Sequence, residues 1–237
     1  MVMLEIGSIR LQLHRKPIKN LHISVLPPDG KVRVAAPETM TDTAIRMAVI
    51  NRIPWIKQQQ ADFAKQPRQS QRHMVNGESH YLWGKHYRLN VIEQAGKHQI
   101  QLSHQRLNLY VKPGTTLANK TLVLQQFYRA QLKQAISQLL PIWQAKLGVT
   151  LADWGIRKMK TKWGSCNIHA KRIWLNLELA KKPPECLEYI VVHELVHLLE
   201  RRHNQRFISL MDQFLPNWRE RQQLLKQMPL AAEEWHS

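Results

Sequence analysis

Acidic residues are scarce in this chain. Against 35 lysines and arginines stand only 17 aspartates and glutamates, a formal net charge of +18. The excess runs through Arg10–Lys19, Lys57–Arg72, Arg157–Lys162 and Arg201–Arg206, so no single basic tail carries it. Such a field draws anionic partners, nucleic acid among them, without selecting one. Cysteine is scarcer still. Cys166 and Cys186 are the only two, which gives no disulfide framework and fits packed thiols in a reducing, cytoplasmic setting. No apolar run nears the roughly 18 residues of a membrane span. The opening MVMLEIGSIRLQLHRK has no uninterrupted apolar region and no small-residue cleavage site, so a secretory signal is not expected. Zinc-finger, RNP and helix-turn-helix signatures are missing. No internal repeat is convincing, although two stretches open with a hairpin pattern.

What is present suits a globular α+β protein. The apolar fraction of 43% over 237 residues is enough for one large domain or two small ones. Leu4, Ile6, Ile9, Leu11 and Leu13 fall near period two around Gly7-Ser8, and Leu21–Val25 and Val32–Ala35 continue as strands about a turn at Pro27–Gly30. Thr41 or Asp42 is placed to cap a helix with Ala44, Ile45, Ala48 and Val49 inside, and Pro54 to kink or restart it. Lys65–Arg72 reads as a solvated linker. A second strand-rich stretch spans His80–Val111, with histidines at no ligand-like spacing. Thr116–Gly148 is a long helical pattern that Pro141 is expected to kink and Gly148 to end. Trp154–Cys166 and Arg172–Leu179 read as two strands of a hairpin. On this reading a β-rich region of residues 1–115 precedes a catalytic domain of residues 116–237, made of helices and a small antiparallel sheet.

The most informative stretch is Val191–Arg206, VVHELVHLLERRHNQR. Residues four apart share a helix face, so His193 and His197 can offer two imidazoles to one ion. Catalytic zinc takes three protein ligands and keeps one position open. Glu194 is placed on the same turn to accept a proton from a water activated by the metal and to return it to a leaving amine. Ile190–Val192, Leu195, Val196, Leu198 and Leu199 fill the other faces, so the helix is expected to be buried. A third histidine follows at His203. In an unbroken helix it would lie about 15 Å along the axis from His193, so the helix must end between Leu198 and Arg202. The metzincin pattern has this spacing with a glycine at the break; here Glu200 stands there and is a rival ligand. Asp212, Glu220, Glu233 and Glu234 are more remote ones.

Around this helix stand Lys160-Thr161-Lys162-Trp163-Gly164-Ser165-Cys166-Asn167 and Ile173-Trp174-Leu175-Asn176. Together with HELVHLLERRHNQRF they resemble the YgjP-like metallopeptidases, relatives of the SprT-like zinc proteases. The specific match covers about the last third of the chain. The resemblance implies a zincin-like catalytic domain, zinc (Zn2+) bound by His193, His197 and His203, and Glu194 as catalytic base. One departure is Arg202, where the family often has Asn before the third histidine.

The function so expected is a zinc-dependent endopeptidase acting on protein or peptide, with no membrane role. The strand pair before the helix is a natural edge for an extended peptide. Lys160 and Arg206 are candidates to steady an oxyanion. Ser165 and Cys166 are weak nucleophile candidates, because a cysteine–histidine mechanism would compete with zinc for the same imidazoles. Two other classes stay open. One is a zinc hydrolase on a non-peptide substrate such as RNA, against which Glu194 argues. The other is a DNA-associated protease or binding protein, which the basic charge favours.

Overall fold

A computed structural model of the protein describes residues 2–26, 29–65, 72–159 and 162–227. The expected turn at Pro27-Pro28, the linker at 66–71, Lys160, Thr161 and the tail carrying Glu233 and Glu234 lie outside these. The chain forms two compact units, one built on Met1–Gln71 and one on Arg72–Met228.

In the first unit, β1 (Val2–Ile6) and β2 (Ile9–Lys16) form an antiparallel hairpin with Ile6 opposite Ile9. Gly7 takes the turn at φ 58°, a conformation that favours glycine. Strands β3 (His22–Leu26) and β4 (Lys31–Pro37) form a second hairpin, and β4 runs parallel to β2. The strand order is β1-β2-β4-β3. Alternation places Ile9, Leu11 and Leu13 of β2 and Val32, Val34 and Ala36 of β4 on one face, where all are buried. Helices α1 (Asp42–Ile50) and α2 (Ile53–Lys65) supply Ile45, Val49 and Ile56 to the same core. Thr41 starts α1, its hydroxyl accepting from Ala44 N at 3.2 Å. Pro54 falls in the first turn of α2, where its missing N–H costs nothing.

The second unit opens with the same pattern. Strands β5 (Ser79–Leu82), β6 (Lys85–Glu93), β7 (Gln99–Ser103) and β8 (Arg106–Val111) lie in the order β5-β6-β8-β7. They form two antiparallel hairpins joined by a parallel β6–β8 pair. Their buried residues Leu82, Leu89, Leu107, Leu109 and Val111 pack in one core with the long helix α3 (Leu117–Leu147). This is why the chain divides at 71/72 and not at 115.

Helix α3 is capped by Thr116 and ends on Gly148 in the left-handed conformation, φ 65°. It continues through Pro141 as one helix. Pro141 and Ser137, whose carbonyl loses its helical partner, are both on the exposed face, where that carbonyl is open to solvent. Inward, Leu124, Tyr128, Leu132, Ile136, Leu140, Trp143 and Leu147 are buried. Each such large apolar side chain stabilises the core by roughly 1.5–3 kcal/mol.

The expected hairpin after α3 differs in form. Trp154–Cys166 is not one strand: β9 (Asp153–Arg157) and β10 (Gly164–Asn167) are separate. The returning strand β11 (Arg172–Asn176) stops at Asn176 and gives way to a 3-10 helix, Leu177–Lys181. The sheet order is β10-β11-β9, antiparallel between β10 and β11 but parallel between β11 and β9, so it is mixed and not antiparallel throughout. Asn176 causes the interruption. Its buried side chain donates to Met159 O at 2.9 Å and Lys162 O at 2.8 Å and accepts from Met159 N and Glu178 N. It ties the backbone of Met159 to that of Lys162. Helices α4 (Pro184–Val196), α5 (Gln205–Phe214) and α6 (Trp218–Gln227) complete the unit. Among the described residues no helix is long and apolar enough to cross a membrane.

Candidate metal centre

Helix α4 begins with Pro184 in its first turn and is buried along most of its length, packed by α3, α5, α6, β10, β11 and the 3-10 helix. It stops before His203, as the spacing requires, but earlier than the expected interval of Leu198–Arg202. Val196 is its last residue, His197 caps it, and Leu199 N and Glu200 N both bond back to Val196 O at 2.9 Å. The chain then turns, and Asn204 starts α5 by accepting from Phe207 N at 3.0 Å. His203, one residue before that cap, is carried back over the end of α4.

The three histidines therefore meet. One ligand nitrogen from each of His193, His197 and His203 lies within 4.8 Å of the other two. The Nε2 atoms of His193 and His203 are 3.0 Å apart, near the separation of about 3.3 Å expected for two nitrogens on one tetrahedral zinc. His197 Nδ1 sits 3.1 Å from Glu200 O. A carbonyl only accepts, so Nδ1 carries the proton and Nε2 keeps its lone pair toward the cluster. The Phe207 ring packs against all three imidazoles at centroid distances of 5.0, 4.8 and 4.7 Å and fixes their planes. Burial, then the neighbouring His197 and His203, push the His193 pKa down to about 3; burial also lowers that of His197. Three imidazoles whose ring nitrogens converge, with burial favouring the neutral form of His193 and His197, fit a divalent cation.

The rival ligands are occupied elsewhere. The Glu200 carboxylate accepts from Arg202 N at 3.1 Å, so Glu200 serves the cluster through its carbonyl. Asp212 accepts from Trp218 Nε1 at 2.8 Å and pairs with Arg219. Glu220 is exposed on α6.

Glu194 faces the same cleft, only 5% exposed. Burial raises its pKa to about 8, with the charge of Lys162 opposing the shift. Strand β10 passes so close that a Cβ on Gly164 would lie 2.5 Å from Glu194 Oε1 and 2.8 Å from its Cγ. Gly164 is thus the residue that makes room for the carboxylate. The WGSC run marked this place, but the reason for glycine was not legible there. Cys166 lines the cleft, and burial, helped by Glu194, raises its thiol to about 11; Cys186 is buried and likewise raised to about 11. Neither is an activated nucleophile. Arg206 lies in the first turn of α5 and is not among the residues lining the cleft, and Lys160 is outside the described residues. Sequence reasoning also missed Tyr189, which sets its ring edge 5.8 Å from His193, is stacked on Trp218 and accepts from Gln222 at 3.1 Å.

A histidine cluster able to hold a metal, with a buried carboxylate beside it and an open cleft of about 780 Å³ in front, is the constellation of a metal-dependent enzyme. The pattern of the YgjP-like metallopeptidase domain matches residues 19–228, and the chain belongs to this family. It is accordingly a metal-dependent peptidase. No curated protein matches it significantly. Among solved structures it is similar to the metallopeptidase zymogen abylysin of Pyrococcus abyssi, with 21% identity and TM-score 0.36 over 40% of this chain and 99% of that one. It is similar also to the zymogen jannalysin of Methanocaldococcus jannaschii, with 22% identity and TM-score 0.34 over 40% and 94%. Likeness this slight carries nothing into the mechanism.

Proposed function

We propose that the protein is a zinc-dependent endopeptidase with a zincin-like catalytic arrangement, in which His193, His197 and His203 hold the ion and Glu194 is the general base. The convergence of three imidazoles next to Glu194 on the cleft wall carries this reading. A bound zinc would supply Lewis acidity toward the scissile carbonyl and acidify water at its open position. The residues of this chain do the rest. Among the described residues strand β10 is the edge of its sheet and pairs only with β11, so its outer backbone groups can take an extended peptide as an added strand. Asn176 and Gly164 fix that edge, one by holding Lys162 before it and the other by admitting Glu194. Glu194 accepts the proton of the attacking water and delivers it to the leaving amine nitrogen. Phe207 and the Glu200 carbonyl hold the imidazoles in the orientation that binding needs.

The test is digestion of an unfolded protein. Zinc-loaded wild type should cleave it, a chelator should stop cleavage, and added zinc should restore it. Glu194→Gln should stay folded and keep zinc, yet lose at least about 100-fold in activity. Equal activity in Glu194→Gln would remove the assigned base.

A further inference from the structure

The described residues lining the cleft include three exposed cations from three different elements. Lys162 comes from the loop before β10, Arg201 from the turn after α4, and Lys226 from α6. The one acidic residue among them is Glu194, which is buried. Several other cations of the two units face acids, as in Arg15–Asp42, Arg172–Asp153, Lys181–Glu178 and Arg219–Asp212. The contrast is clearest on α6. Arg219 and Arg221 are paired with Asp212 and Glu188, while Lys226 on the same helix turns to the cleft without a carboxylate in ion-pair range among the described residues. Tyr189, Ile190 and Leu225 add apolar surface to the same cleft.

We infer that the cleft selects acidic peptide segments, with Asp or Glu on both sides of the bond to be cut, through Lys162, Arg201 and Lys226. The inference rests on the peptidase reading above. Three cations converging on one groove raise the local concentration of an anionic segment and reject a basic one, because like charges across a binding surface are strongly unfavourable. The effect is screened beyond a Debye length of about 8 Å at physiological salt. A bare positive surface would select nothing. A positive groove that ends on a catalytic carboxylate selects which peptides reach it.

The test uses three peptides matched in length, with Asp/Glu, Gln or Lys/Arg flanking one central site. Cleavage is followed with the zinc-loaded protein, and binding with zinc-loaded Glu194→Gln by fluorescence anisotropy. The acidic peptide should be cut and bound at least about tenfold better than the basic one at low salt, with the gap narrowing as salt rises. The double variant Arg201→Glu/Lys226→Glu should lose the preference while still cutting the Gln peptide. Equal handling of the three peptides, with the Gln peptide cleaved, overturns this inference and leaves the peptidase reading standing. Salt-sensitive binding of the acidic peptide with no cleavage of any peptide overturns the peptidase reading instead. If single-stranded DNA of equal charge displaces the acidic peptide and binds more tightly, the cations serve nucleic acid and the inference fails.

Discussion

The two four-stranded sheets make an instructive pair. Both have two antiparallel hairpins joined by a parallel central pair, in orders β1-β2-β4-β3 and β5-β6-β8-β7. In the first hairpin of each, a two-residue turn contains a glycine at positive φ: Gly7 at 58° and Gly84 at 76°. What they do there differs. A Cβ on Gly7 would meet only Ile53 Cδ1, at an ordinary 3.6 Å. On Gly84 it would strike Pro183 Cγ at 2.9 Å and Pro183 N at 3.3 Å. The second turn is clamped to the start of α4: Trp83 N donates to Ala180 O at 2.8 Å and Gly84 N to Lys181 O at 3.3 Å. The same topology thus closes its own core in one unit and props the metal-site helix in the other.

The register extends the comparison. Leu4 opposite Leu11 in the first hairpin corresponds to His80 opposite Tyr87 in the second. Leu4 packs on an apolar core. His80 is buried with its Nε2 2.9 Å from Glu78 Oε1, next to Arg72 and Lys181. An apolar position has become polar where the sheet meets the elements that carry the site.

The largest effect should come from Gly84→Val. It adds both a steric clash and a strained φ, and should destabilise the second unit by about 3 kcal/mol or more while weakening zinc binding; denaturant melts and metal titration read both. Next, Asn176→Ala should cost about 2–4 kcal/mol, since backbone groups of Met159, Lys162 and the buried Glu178 lose their partner, and should slow peptide cleavage by loosening β10. The pH response follows from His80. Burial, then Arg72, lower its pKa from 6.5 to about 4, against the pull of Glu78. Between these values the unfolded chain binds the proton and the folded one does not, so stability is full above pH 6.5 and falls progressively toward pH 4. His80→Leu, which copies Leu4, should flatten that fall in melts across pH. The smallest effect belongs to Gly7→Ala, about 1 kcal/mol from its positive φ alone, with zinc binding unchanged. If Gly7→Ala disturbs zinc as much as Gly84→Val, the two turns do not differ in role as described.

The elements legible in the sequence were those fixed locally. Thr41, Thr116, Gly148 and Asn204 act within one turn of their own helix, and the spacing of His193, His197 and His203 forces a helix end that the structure places after Val196. The features that escaped depend on distant partners. Nothing near Asn176 in sequence reveals that it binds Met159 and Lys162, so one strand was expected where two separate strands occur. Gly164 matters only because Glu194 arrives from another element. The shared sheet topology was hidden because the two stretches have in common an alternation and a turn, not a run of identical residues.

The most direct test of the central claim is zinc stoichiometry after equilibrium dialysis of wild type, Glu194→Gln, Glu200→Gln and His203→Ala. One zinc per chain in the first three and a clear deficit in His203→Ala is the predicted result. Full occupancy in His203→Ala would contradict a centre built from His193, His197 and His203.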